Sequence, residues 1–144
     1  MEQLMHDPSQ VHYGVAKRIL RYSQGIKFYR IWYKVISNSK LVGYIDSDWI
    51  GSIDDMKSTS GYAFTLGSGI FYWASKKQAT VAQSSAEAKY IAAAMTTSQA
   101  IWLKRILEDM RELQEEATKI YYDSKSAIAM AQNPVFHSRT KHAY

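Results

Sequence analysis

The chain has 144 residues, 47% of them hydrophobic and 13% aromatic, which is apolar surface for one core of ordinary domain size and no more. It contains no cysteine, which excludes disulfides and thiolate metal sites, and no apolar run approaches the roughly 20 residues of a membrane span. The net charge of +5 suits a polyanionic partner such as nucleic acid and equally suits ordinary solubility.

In chain order, the first ten residues carry acids and a proline without the hydrophobic segment of a signal peptide. A helix is predicted over residues 9–24, with Val11, Val15, Ile19 and Leu20 as its buried stripe, Gly25 as its stop and a basic opposite face. Residues 27–33 alternate as a strand, and the turn-like residues 37–40 mark the boundary between a linker (1–39) and a domain (40–144). Residues 41–45, 61–66 and 70–73 read as a three-strand meander, the last two strands joined by Gly67-Ser68-Gly69. A long helix follows over residues 84–113, with Ile91, Met95, Ile101, Trp102, Ile106 and Leu107 as its buried stripe. Residues 118–123 form a fourth strand, Ser124 caps the next helix, and that helix stops before Pro134. The Trp and Tyr residues read as core rather than as base-stacking surfaces.

Residues 41–51, LVGYIDSDWIG, place acids near the end of an apolar strand and follow them with a glycine. Asp46 and Asp48 project from one face, because side chains alternate along a strand. Asp123 ends another strand in the same way. Acids presented by neighbouring strands are the core of a two-metal phosphodiesterase site, in which paired Mg²⁺ ions stabilise the attacking and leaving oxygens. The plainer reading of each is a turn acid, and Asp48, Asp54 and Asp55 are read as loop acids.

Six ordered blocks carry a resemblance: residues 43–51 (GYIDSDWIG), 57–61 (KSTSG), 71–77 (FYWASKK), 84–92 (SSAEAKYIA), 100–103 (AIWL) and 133–142 (NPVFHSRTKH). Together they resemble the ribonuclease H domain of copia-type retrotransposon Pol polyproteins. Residues 16–22, AKRILRY, are similar to the segment that links reverse transcriptase to that domain. The resemblance implies an α/β fold with a ribonuclease H-like mixed sheet and a long first helix. It also implies Mg²⁺-dependent hydrolysis of RNA in RNA:DNA hybrids, with Asp46 and Asp123 at two metal-ligand positions.

The chain departs from that pattern at two places. The family's first helix carries a glutamate ligand where this sequence has Lys89. Glu87 is the alternative, but two residues are about 200° around a helix, so only one of the pair faces the acids. The family also continues past residue 142 to a final strand and a helix bearing a fourth acid, which this sequence does not include. The expectation is a degenerate nuclease with vestigial ligands Asp46 and Asp123, catalytically inactive and without Mg²⁺. Its partner would be RNA:DNA hybrid or another nucleic acid, bound weakly, with no membrane association, and its location would be cytoplasmic or nuclear, as for the parent element.

Lys17, Arg18, Arg21, Lys104 and Arg105 are the candidate phosphate contacts of a non-catalytic nucleic-acid-binding module, and otherwise read as solvated helix faces. His137 is a weak candidate for a catalytic histidine. Residues 18–21, RILR, match the Arg-x-Leu-Arg tetrapeptide of oomycete secreted effectors, a label that some sequences of this family carry. That resemblance implies secretion, delivery to a host cell, a host protein partner and suppression of host defence or cell death. Here the tetrapeptide falls in a predicted helix, whereas effectors carry it in a flexible stretch.

Overall fold

A computed structural model describes residues 9–37, 39–49 and 55–132. The chain divides into two compact units, Met1–Trp32 and Tyr33–Tyr144. The division falls upstream of the turn at which the sequence places a boundary.

In the first unit, α1 (Gln10–Gly25) is set by local caps. The Ser9 hydroxyl accepts from the His12 backbone N–H at 3.4 Å, and His12 Nδ1 accepts from the Ser9 N–H at 3.1 Å. These bonds satisfy two donors that a helix start leaves open. The expected buried stripe is not found: no residue of α1 is buried, and Val11 and Leu20 are 73% and 69% exposed. Capping and helical propensity, rather than a packed face, define this element. Residues 27–33 form no strand, which corrects a second expectation. The chain turns through Ile26–Phe28, closed by Tyr29 N–H to Ile26 O at 2.9 Å. Alternating side chains do not make a strand unless a neighbour takes up its N–H and C=O groups, and this segment joins no sheet.

The second unit is α/β. Its strands are β1 (Leu41–Asp48), β2 (Thr59–Leu66), β3 (Gly69–Lys77) and β4 (Lys119–Tyr121). They form a mixed sheet in the order β3-β2-β1-β4. The pairs β1–β2 and β2–β3 are antiparallel, and β4 lies parallel to β1. A parallel neighbour requires a crossover, and the long helix α2 (Ser85–Asp109) supplies it. The hairpin turn between β2 and β3 is Gly67-Ser68, and Gly67 has φ +61°. Positive φ at the first loop position alone is the pattern of a type II′ turn, whose twist matches the flanking strands.

Alternation assigns each strand residue to a face. Leu41, Gly43 and Ser47 of β1 and Ser60, Tyr62 and Phe64 of β2 are buried, whereas Tyr44, Asp46 and Asp48 are exposed. The buried face packs on α2, where Leu41, Tyr62 and Phe64 meet Ala100, Leu103 and Leu107. Gly43 leaves room for the core side chains of the two neighbouring strands, since a Cβ there would lie 2.9 Å from Phe64 Cε1 and 3.3 Å from Ile120 Cγ1.

The inward side of α2 is Ala88, Ile91, Ala92, Thr96, Ala100, Leu103 and Leu107. Ile91 and Leu107 hold their expected places, and Met95 packs against the Ala82–Ala88–Ile91 cluster. Ile101 and Trp102 do not: they are 51% and 48% exposed. Small side chains at 88, 92, 96 and 100 let the helix axis approach the sheet, and this turns the bulkier neighbours outward. The helix also ends sooner than expected, at Asp109. Arg111 adopts φ +65°, with its N–H bonded to Glu108 O at 2.9 Å and the Glu112 N–H bonded to Leu107 O at 2.8 Å. That pair of bonds is a Schellman cap, built here on an arginine rather than the usual glycine. The last described helix, α3 (Lys125–Gln132), packs against α2.

Candidate functional site

The parallel pairing of β1 with β4 sets the geometry of the candidate site. The register runs Val42–Lys119, Gly43–Ile120 and Tyr44–Tyr121. The same offset, continued past the last bonded pair, puts Asp123 level with Asp46. Both side chains are exposed. Asp46 ends the apolar part of β1, and its backbone neighbour across the sheet is Gly61.

Lys89 reaches this end of the sheet from the first turns of α2. Its Nζ lies 3.2 Å from Asp123 Oδ1 and donates to it. The Lys89 side chain is 26% exposed and that of Asp123 67%, so water screens the pair and its contribution to stability is below about 1 kcal/mol. Its chemical consequence is to set a positive charge against one oxygen of that carboxylate. Glu87 is committed elsewhere. Ser84 caps α2 by accepting from the Glu87 N–H at 3.1 Å, and Glu87 Oε2 accepts from the Gln83 N–H at 2.7 Å. That carboxylate closes the helix start and also complements the helix dipole there.

Behind Asp46 and Asp123, on the buried side, lie Ser47 and Tyr122. Their hydroxyls are within reach of each other without a well-formed hydrogen bond among the described residues. Burial, followed by the negative charge of Asp123, pushes the Tyr122 phenol well above its ordinary pKa, and the contact with Ser47 offsets this in part. Trp49, just past β1, donates from Nε1 to Ala82 O at 3.4 Å and ties this end of the strand to the loop before α2.

The residues present do not fit a pair of divalent cations. Among the described residues no three of His, Asp or Glu gather in a metal-binding group, and one of the two aligned acids already accepts from an ammonium. Of the remaining acids read from sequence, Asp48 is exposed at the end of β1. Asp55 pairs with Lys77 at 2.5 Å, whereas Asp54 and His137 lie outside the described residues.

The basic candidates fall in both units. Lys17, Arg18 and Arg21 are exposed on α1, with Lys17 Nζ 4.4 Å from the Tyr13 ring centroid. Lys104 and Arg105 lie on α2, and Lys104 Nζ donates to Glu116 O at 3.4 Å. The structure does not gather the five into one patch within either unit.

Two features escaped the sequence reading. Gln78 is fully buried between sheet and helix, where Nε2 donates to Ser60 Oγ at 2.7 Å and to Ala88 O at 2.8 Å. No periodicity announces such a residue, since it sits in a short connection between two elements. The second is a correction to the aromatic residues read as core: Tyr44, Trp73 and Tyr121 are exposed on the sheet face opposite α2. The alternation that put Tyr44 beside Asp46 was the available signal.

The class this sheet and its crossover helix define is an α/β unit with acids at the ends of two parallel neighbours, and the comparisons give it a family. The chain is 41% identical over 142 residues, 99% of its length, to the Retrovirus-related Pol polyprotein from transposon TNT 1-94 of Nicotiana tabacum. It is 40% identical over 142 residues to the Pol polyprotein from transposon RE1 of Arabidopsis thaliana. It spans 10% of each polyprotein. It is also 44% identical over 103 residues to Secreted RxLR effector protein 161 of Plasmopara viticola, a match that covers 72% of each chain. The chain is homologous over nearly its full length to a segment of copia-type retrotransposon Pol polyproteins and belongs to one family with Secreted RxLR effector protein 161. No family model matches it, and no solved structure does.

Proposed function

We propose that this chain is a ribonuclease H-like segment of a copia-type Pol polyprotein that has lost the hydrolysis of RNA in RNA:DNA hybrids. The observation that carries this is the 3.2 Å contact between Lys89 Nζ and Asp123 Oδ1. The mixed sheet, with β4 parallel to β1 and a long helix between β3 and β4, supports the ribonuclease H-like part of the reading. Bound Mg²⁺ would supply charge stabilisation at the attacking and leaving oxygens. In this chain Lys89 supplies a fixed positive charge to Asp123 instead. An ammonium can donate hydrogen bonds to a phosphate oxygen or a water but coordinates neither as a Lewis acid, so it neutralises the acid without activating a nucleophile as a bound metal does. Asp46 and Asp123 are thus the remnants of a ligand set, and Lys17, Arg18, Arg21, Lys104 and Arg105 retain weak, sequence-independent attraction for a phosphate backbone. The parent element sets a cytoplasmic or nuclear location.

Incubation of the purified chain with labelled RNA:DNA hybrid in millimolar Mg²⁺ is the test. No cleavage is expected, and robust Mg²⁺-dependent cleavage overturns the reading.

A second reading is favoured by the identity to Secreted RxLR effector protein 161. On this reading the chain is delivered to a host cell and suppresses its defence, with Arg18–Arg21 as the targeting tetrapeptide. Against it, the tetrapeptide lies within α1 rather than in an unstructured stretch. A transcript that encodes a cleavable signal peptide ahead of Met1 would decide for this reading.

A further inference from the structure

Among the described residues of the second unit, one face of the sheet packs on α2 and no element packs on the other. On that other face the registers Tyr121–Tyr44, Tyr44–Ala63 and Ala63–Trp73 line up as a single row across all four strands. Three of those four residues are aromatic, and all three are exposed: Tyr44 by 44%, Tyr121 by 57% and Trp73 by 66%. Tyr44 and Tyr121 stack, with ring centroids 5.4 Å apart and planes 20° from parallel. Ala63 leaves a gap between Tyr44 and Trp73 that spans two strand spacings, about 10 Å. The row is therefore a discontinuous aromatic platform with an opening floored by a methyl group.

Charge is divided along this face. At the end where β1 and β4 begin stand Lys119 and Lys34, the latter held at the β2–β3 turn by its backbone N–H bond to Ser68 Oγ at 2.9 Å, while the neighbouring Lys40 is already paired with Glu116 at 2.7 Å. Asp46, Asp48 and Asp123 stand at the opposite end. A polyanion is drawn to the first end and repelled from the second.

We propose that this face binds single-stranded nucleic acid, its bases stacking on Tyr44, Tyr121 and Trp73 and its phosphates passing over the end that carries Lys34 and Lys119. Exposed aromatic rings on a sheet serve single strands because every base offers a π-face, whereas in a duplex those faces are taken up by neighbouring bases. The charge division fixes the orientation of the strand, and the chain's overall charge of +5 favours the encounter. This site does not depend on the hydrolase ancestry and uses neither Lys89 nor Asp123 as a contact.

The test is fluorescence anisotropy of labelled oligo(dT) and oligo(U), with an RNA:DNA hybrid duplex of equal length as comparator. Single strands are expected to bind more tightly than the hybrid. Affinity should fall with salt at a log–log slope of about −1.4, as for two phosphate contacts on a single strand. The double variant Tyr44→Ala, Trp73→Ala should weaken binding at least about tenfold, and Tyr44→Phe should retain it. Since both positions are exposed, an unchanged far-ultraviolet circular dichroism spectrum is expected and serves as the folding control.

Equal binding by the double variant overturns the proposal, as does loss of binding only on Lys17→Ala, Arg18→Ala, which would place the contact on α1. Tighter binding of the hybrid also overturns it. So does a dimer in sedimentation velocity that the double variant abolishes while oligonucleotides do not bind, since that assigns the face to a second copy. Cleavage of the hybrid bears on the preceding reading alone.

Discussion

Lys89 Nζ donates to Asp123 Oδ1 at 3.2 Å, so the residue facing an acid of the candidate site is a cation from the first turns of α2. Replacement by glutamate reverses that charge and sets two carboxylates against each other. Lys89→Glu is expected to lower stability by about 0.5 kcal/mol, a small amount because Asp123 is 67% exposed. Added Mg²⁺ should recover this loss in the variant and change nothing in the parent chain, which a pair of urea titrations with and without Mg²⁺ would read. Hybrid cleavage is expected to stay near background, since a single reversion supplies no more than one ligand. A substantial rise in cleavage by Lys89→Glu alone would show the rest of the site to be intact.

Gln78 joins β2 to α2 through two short hydrogen bonds in a fully buried setting. Gln78→Ala removes both and leaves the Ser60 hydroxyl buried without that donor. The expected loss is about 1–3 kcal/mol, seen as a lower urea midpoint at unchanged slope. A loss well under that range would mean that water replaces the amide.

The contrast between these two residues shows what the sequence carries. Lys89 drew notice because a cation stands where the resemblance implies a carboxylate, and the structure places that cation against Asp123. The strands β1, β2 and β3 were legible from alternation and from the Gly67 turn. The rotation of α2 was not, because its contact face is built from Ala88, Ala92, Thr96 and Ala100, and a pattern search that weights large apolar residues selects Ile101 and Trp102 instead. The strand expected over residues 27–33 failed for a different reason. Alternation describes one strand, whereas a ladder needs two, and no local signal reports the missing partner.

Arg111 occupies the left-handed position of the Schellman cap at φ +65°. A side chain there meets the steric cost that glycine avoids, about 1 kcal/mol. Arg111→Gly should therefore stabilise the chain by up to about 0.5 kcal/mol, after the greater freedom of glycine in the unfolded chain is set against the relief of strain. Arg111→Val should destabilise it, since a β-branched residue tolerates positive φ least. Thermal melts of the two variants should shift in opposite directions, and a shift of the same sign in both would mean that the cap is not strained.

Tyr122 gives the pH dependence. Its phenol is raised above the ordinary value of 10.0, first by burial and then by the charge of Asp123. Below pH about 10 the group is protonated in both folded and unfolded chains, and its full contribution to stability is present. As the pH rises past that point the unfolded chain ionises first, so stability is lost progressively towards the higher folded pKa. Urea midpoints measured from about pH 9 upward should fall, and Tyr122→Phe should flatten part of that fall. Asp123→Asn removes the neighbouring charge and should bring the Tyr122 ionisation back towards 10.0, detectable as an earlier phenolate absorbance among the eleven tyrosines. An alkaline limb identical in parent and Tyr122→Phe would assign the loss to other groups and remove Tyr122 from the account.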